Sequence, residues 1–231
     1  MLNQLIKDLQ SLKNPAKAKV LQGFFKTGKG EYGEGDIFLG ITVPDQRKLA
    51  NKYLDLNFAE IQELLESNIH EYRLTAVIIL TLKYKKADFN LKKEIFDFYI
   101  SNTRNINNWD LVDVTCPCIV GNFLLDKDRK ILYKLVKSSL LWDKRIAIIS
   151  TFEFIKNNDF EDALKISEIL ITDKNDLIQK AVGWMLREIG KRNKMIEIEF
   201  LEKYYKIMPR TMLRYSIEKF SEEEKKKYMG K

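Results

Sequence analysis

The segment HEYRLTAVIIL, residues 70–80, has three later counterparts: NNWDLVDVTC (107–116), LWDKRIAIIS (141–150) and DLIQKAVGWM (176–185). Written under one another they bring Ala76, Val112, Ala147 and Val182 into register, with Ile217 as a less clear fifth, at intervals of about 35 residues, the period of a helical-hairpin array. Working outward, apolar residues recur at i, i+3, i+4 and i+7 almost throughout, and four prolines and ten glycines leave few interruptions. The chain therefore reads as all-α, a series of stacked helix pairs. Joints are expected around Asn68, Arg104 to Asn107, Leu125 to Arg129, Asp159 to Ala163, and Asn193. No low-complexity linker divides the series, so one domain over residues 1–231 is expected, a curved α-α solenoid with a concave basic groove. Tyr228 to Lys231 are expected to fray.

The composition, 45% hydrophobic and 32% charged over 231 residues, is that of a soluble globular chain able to bury a sizeable core. No basic-then-apolar leader opens the sequence and no apolar run approaches the ~20 residues of a membrane span, so the expected compartment is the cytoplasm, with no membrane partner. Cys116 and Cys118 flank Pro117, too close for an unstrained disulfide. His70 is the only histidine, which leaves almost no material for a His-based zinc site or a Ser-His-Asp triad; no metal or cofactor is expected. Catalysis must then rest on carboxylates, aromatics or cations. A net charge of +7 and a pI near 9.1 favour a polyanionic partner, although a solubilising surface has the same signature.

Gly28, Gly30 and Gly33 spell G-x-G-x-x-G within FKTGKGEYGEGDIFLGITVP (25–44). A dinucleotide fingerprint needs a strand before its glycines and a helix after them. Here Leu2, Leu5, Ile6, Leu9 and Leu12, then Val20, Leu21, Phe24 and Phe25, lead in at helical spacing. Glu31, Glu34 and Asp36 would repel a phosphate, and no Ser or Thr follows Lys29. A nucleotide cofactor is not expected. The next helix should start at Val43 or Pro44 with Thr42 as its cap. Its amides, with Arg47 and Lys48 close behind, could meet an anionic group of a polyanionic partner. The loop from Glu31 to Asp36 reads equally well as an inter-helix turn or as a contact to the polyanionic partner.

Trp109 and Asp113 are four apart, on one helical face. One repeat beyond Asp113 lies Ile148, with Arg145 three residues before it, and a second repeat lands beside Trp184. Spacing alone is met as well, and more simply, by two core tryptophans and a structural Asp113–Arg145 pair.

Three segments, IFLGITVPDQRKLA from Ile37, NWDLVD from Asn108 and IQKAVGWMLRE from Ile178, supported by LWDKRIAI from Leu141, resemble the AlkD-type DNA alkylation repair glycosylases, a HEAT-like-repeat family. The resemblance spans nearly the whole chain in order. It implies that Trp109 and Trp184 are the groove tryptophans, Asp113 the catalytic carboxylate and Arg145 the groove arginine. Thr42, Arg47, Lys48 and Arg187 become candidate DNA contacts. Tyr32 is a further candidate, in a Gly-rich segment longer and more acidic than that of the family member compared with it. The implied activity is hydrolysis of the N-glycosidic bond of cationic alkylpurines, 3-alkyladenine and 7-alkylguanine, in duplex DNA without base flipping, by a monomer. The alternative is a non-catalytic helical-repeat module that binds DNA or scaffolds another acidic partner.

Overall fold

In the computed structural model, which describes residues 1–230, the chain gathers into two compact units, Met1–Thr115 and Cys116–Lys231. The first holds α1 (Leu2–Ser11), α2 (Pro15–Phe24), α3 (Val43–Lys52), α4 (Phe58–Leu65), α5 (His70–Lys86), α6 (Phe89–Ser101) and the short α7 (Trp109–Asp113). The second opens on a π-helical turn, Pro117–Gly121. It continues through α8 (Lys130–Leu135), α9 (Leu141–Lys156), α10 (Glu161–Ile169), α11 (Asp176–Gly190), α12 (Lys194–Tyr204) and α13 (Arg210–Ser216), then a 3-10 turn, Ile217–Lys219, and α14 (Glu222–Met229). No strand occurs among the described residues, only one isolated parallel bridge between Ile37 and Ile69. None of the described helices is long and apolar enough to cross a membrane.

Each expected joint falls in, or at the edge of, a segment between helices. Many starts are capped by the residue types that satisfy free amides. The Asn14 side chain accepts from the Lys17 amide ahead of Pro15, Asn57 with Glu60 and Ser221 with Glu224 form reciprocal capping boxes, and Asn193 accepts from Met195 and Ile196. The C-terminal segment departs from expectation. α14 runs to Met229, and Tyr228 is buried with its hydroxyl donating to Glu202 at 2.8 Å, so packing holds a turn that composition alone would release. Lys231 lies outside the described residues.

The repeat has a direct packing meaning. Ala76, Val112, Ala147, Val182 and Ile217 are all buried, on α5, α7, α9, α11 and the 3-10 turn. In the first unit α5 is enclosed by α3, α4, α6 and α7, so it is buried almost all round. In the second, α9 packs on the π-helical turn, α8, α10 and α11, and α11 packs on α12 and α13. Two glycines set close approaches there. A Cβ on Gly121 would lie 2.3 Å from the Ser150 carbonyl oxygen, and one on Gly183 would lie 2.4 Å from that of Met212.

Candidate functional site

The glycine-rich loop is not a phosphate cradle. The Glu31 carboxylate accepts from the Gly28 amide at 2.9 Å and Glu34 accepts from Gly30 at 2.8 Å, so the acidic groups already occupy the amides that would hold an anion. A Cβ on Gly33 would sit 2.5 Å from the Phe25 carbonyl oxygen, which keeps the loop folded tightly back on the end of α2. This folding delivers two side chains. The Tyr32 hydroxyl accepts from Trp109 Nε1 at 3.2 Å, and Asp36 turns inward among buried polar groups.

Beyond the loop the chain enters α3 through a buried carboxylate. Glu71 accepts from the amides of Leu39, Gly40 and Ile41 at 2.7–3.2 Å, satisfying three donors in a segment that forms no helix. Thr42 then caps α3 by accepting from the Asp45 amide, as the sequence indicates, and Pro44 lies in the first turn. The Thr42 hydroxyl donates to Asp45 at 2.6 Å, which holds that carboxyl below its usual range. Lys48 lies 3.5 Å from Asp45. Arg47 is exposed and has no carboxylate partner among the described residues. With Asn51, Lys85 and Val114 it lines a pocket of about 290 Å³, and Val114, the residue that follows Asp113, places this pocket at the C-terminal end of α7.

Helix α7 carries Trp109 and Asp113 one turn apart, both half-buried. Asn108 starts the helix, its side chain accepting from the Trp109 amide at 2.8 Å. The indole is fixed on several sides. It stacks on Phe25 with centroids 5.3 Å apart, meets Phe24 edge-on at 5.9 Å and donates to Tyr32. Phe25 stacks in turn on Phe38 at 5.1 Å, and Phe38 on the His70 imidazole at 4.5 Å.

His70 is the residue that sequence reasoning passed over. It is 2% exposed, with Nε2 2.8 Å from Asp110 Oδ2 and Nδ1 3.5 Å from Asp36 Oδ2. Arg73 donates to the other Asp36 oxygen at 2.6 Å and to the Ser67 carbonyl at 2.8 Å. Burial opposes a charge on His70, but the hydrogen bonds to Asp110 and Asp36 outweigh it and raise its pKa above the ordinary value. Burial likewise penalises the Asp36 carboxylate, and the contacts with His70 and Arg73 outweigh it, holding its pKa low. Two cations and two carboxylates thus balance. The available signal lay in the polar residues His70, Glu71 and Arg73 opening an otherwise apolar helix, but their partners lie 30 to 40 positions away.

In the second unit Arg145 is buried on α9 and donates through Nη1 to the Leu177 carbonyl at 2.5 Å, bridging α9 to the start of α11. Trp184 is half-buried on α11, its Nε1 donating to Glu188 at 3.1 Å and its ring 5.9 Å from that of Phe152. Arg187, one turn on, is ion-paired with Glu218 and lies 3.6 Å from Glu188.

A family model described as DNA alkylation repair enzyme matches residues 5–220. The chain belongs to this family. Its fold is shared with a protein described as a predicted DNA alkylation repair enzyme from Enterococcus faecalis, at 17% identity and a TM-score of 0.71, covering 91% of this chain and 97% of the other. Two Streptococcus mutans structures are also similar. AlkD2 matches at 18% identity and a TM-score of 0.57, covering 89% of this chain and 97% of its own. The protein smu.31 of strain UA159 matches at 21% and 0.53, covering 75% and 89%. No curated protein matches at a significant level. Membership of the DNA alkylation repair enzyme family makes DNA the partner that the basic charge of the chain points to.

Proposed function

We propose that this member of the DNA alkylation repair family is a DNA glycosylase that hydrolyses the N-glycosidic bond of 3-alkyladenine and 7-alkylguanine in duplex DNA, acting as a monomer, with residues 1–231 forming one helical-repeat domain. The observation that carries the reading is α7, which offers an indole locked in place by Tyr32, Phe24 and Phe25 and, one turn away, a half-buried carboxylate.

A purine alkylated on a ring nitrogen is cationic and leaves with the glycosidic electron pair, which cancels its charge. Little acid assistance is needed, so a site without a histidine in contact with substrate suits the chemistry. Positive charge grows on the deoxyribose as the bond stretches, in an oxocarbenium-like state. Asp113 stabilises that charge and orients the water whose oxygen bonds to C1′, its proton passing to solvent. The faces of Trp109 and Trp184 add cation–aromatic attraction. Arg145 holds a neighbouring phosphate. Thr42, Arg47, Lys48, Arg187 and Tyr32 contact the DNA, and the lesion is handled without flipping into an enclosed pocket.

The test is release of bases from methylated duplex DNA by purified protein. The expected result is free 3-methyladenine and 7-methylguanine. Asp113→Asn keeps the shape and removes the charge, so excision should fall on the order of a hundredfold or more while DNA binding persists. DNA binding without base release by the wild-type protein would replace the reading with the non-catalytic module. An unchanged rate in a folded Asp113→Asn protein would make that carboxylate structural.

A further inference from the structure

The buried charge cluster of the first unit and the indole of Trp109 belong to one connected device. From one side His70 grips α7 itself, because Asp110, its 2.8 Å partner, is the second residue of that helix, directly after Trp109. From the other side it reaches the indole through rings: His70 on Phe38, Phe38 on Phe25, Phe25 on Trp109, with interplanar angles of 21°, 17° and 22°. Asn108 ties the same helix start to the cluster, its Nδ2 3.5 Å from Asp36 while its Oδ1 accepts from the Trp109 amide. A helix of only five residues has little stability of its own, so its orientation follows from such external anchors.

We propose that His70 is a positioning residue for Trp109, fixing the helix start through Asp110 and the indole plane through the Phe38–Phe25 stack. The assignment of Trp109 to the DNA sugar rests on the function proposed above, but the coupling between the two rings does not. The charges grouped with the imidazole are Asp36 on the loop, Arg73 on α5 and Asp110 on α7, while the Glu71 carboxylate, next to His70 on α5, is taken up by the amides of Leu39, Gly40 and Ile41. Lys17 on α2 lines the same apolar pocket of about 380 Å³ as His70. Asp110 and Asp36 are the two in contact with the ring, and both favour its protonated form. Loss of the His70 proton leaves one of these carboxylates facing a bare ring nitrogen, which removes the grip on α7 and changes the charge at the end of the ring stack.

The chain has three tryptophans, so three indole N–H signals appear in a ¹⁵N spectrum, and Trp109→Phe identifies the one from Trp109. In the wild-type protein that signal should shift in a single step at a pH above 6.5, with the Trp142 and Trp184 signals still. In His70→Gln the step should vanish and the Trp109 signal should move from its wild-type position at every pH. If His70→Gln does not fold, Asp110→Asn serves instead, since it keeps a hydrogen-bond acceptor but weakens the ion pair and should lower the pH of the step. A Trp109 signal that ignores the titration in both wild type and variant overturns the proposal. With methylated DNA, His70→Gln should lower kcat at least tenfold with KM within about twofold. Equal loss in both would make His70 a folding residue only. Failure of the glycosylase reading leaves the spectroscopic result intact, so the two are distinguishable.

Discussion

Nε2 of His70 lies 2.8 Å from Oδ2 of Asp110, so the sole histidine of the chain is bonded to the helix that carries Trp109 and Asp113. Neither residue is exposed enough for water to replace the bond freely, and Asp36 and Arg73 complete a charge-balanced cluster around it. Structural order at the proposed site therefore depends on ionisation in the core beside it.

The pH dependence of stability follows with a definite sign. His70 has a folded-state pKa raised above 6.5, so its contribution is fully present below about pH 6.5 and is lost as pH rises through the folded value. Asp36 has a folded-state pKa lowered below 3.8, so its contribution is present above that value and lost as pH falls through the folded one. Urea denaturation across pH should show an acid limb from Asp36 and an alkaline limb from His70, the latter added to the decline that Glu197 contributes between pH 4.5 and about 8. His70→Gln should remove the alkaline limb that belongs to this residue and leave the acid limb. An alkaline limb identical in wild type and variant would assign it to other groups.

The contrast between what the sequence displays and what it conceals is physical. The helices, their joints and the Thr42 cap are local features, set by apolar spacing and by the residue types at helix starts, and they are legible by inspection. Val112, Ala147 and Val182 fall at the repeat because each repeat must bury the same position. The His70 cluster is concealed because its four charges come from a loop and two helices, 34 to 40 positions apart, and a lone histidine in a sequence gives no sign of such partners. The acidic loop residues excluded a nucleotide cradle for a reason that the structure makes concrete: Glu31 and Glu34 fill the loop's own amides.

Gly40→Ala tests the anchoring of the segment that leads into α3. Gly40 has φ of +83°, and a Cβ there would lie 2.2 Å from the backbone oxygen of Asn14 and 2.7 Å from the Ala18 nitrogen. Backbone cannot withdraw as a side chain can, so the substitution should cost about 3 kcal/mol in chemical denaturation. Gly30→Ala, also at positive φ but with nothing within 4 Å, should cost only about 1 kcal/mol. Equal losses at the two positions would mean that conformational strain alone matters there.

Glu197 in the second unit is a buried carboxyl pushed up to about 8 by burial, with its Oε1 lacking a hydrogen-bond partner among the described residues. Raised above the ordinary value of 4.5, it favours folding less and less as pH rises from 4.5 through 8, because the folded state must then hold a proton that the unfolded state has already lost. Glu197→Gln keeps the shape without that penalty. The variant and wild type should be of similar stability at pH 5. At pH 9 the variant should be ahead by an amount on the order of 3 kcal/mol. A stability gap independent of pH would mean that Glu197 is unionised throughout or freely hydrated.

Arg47 and Arg187 should differ as DNA contacts for an electrostatic reason. Each lysine or arginine that neutralises a phosphate releases condensed counterions, and the slope of log affinity against log salt falls by about 0.9 when one such contact is removed. Arg47 is exposed, without a carboxylate partner among the described residues, so Arg47→Ala should remove about one full unit of slope. Arg187 is already paired with Glu218 and close to Glu188, and must surrender that neutralisation to meet a phosphate. Arg187→Ala should therefore change the slope less than Arg47→Ala. Glu218→Gln, which releases the guanidinium without touching DNA itself, should tighten binding and steepen the slope. Lys48, 3.5 Å from Asp45 and exposed, should fall between the two arginines. Measured on one duplex between 50 and 200 mM salt, a Glu218→Gln protein that binds no tighter than wild type would remove Arg187 from the DNA interface and leave its ion pair as a link between α11 and the 3-10 turn.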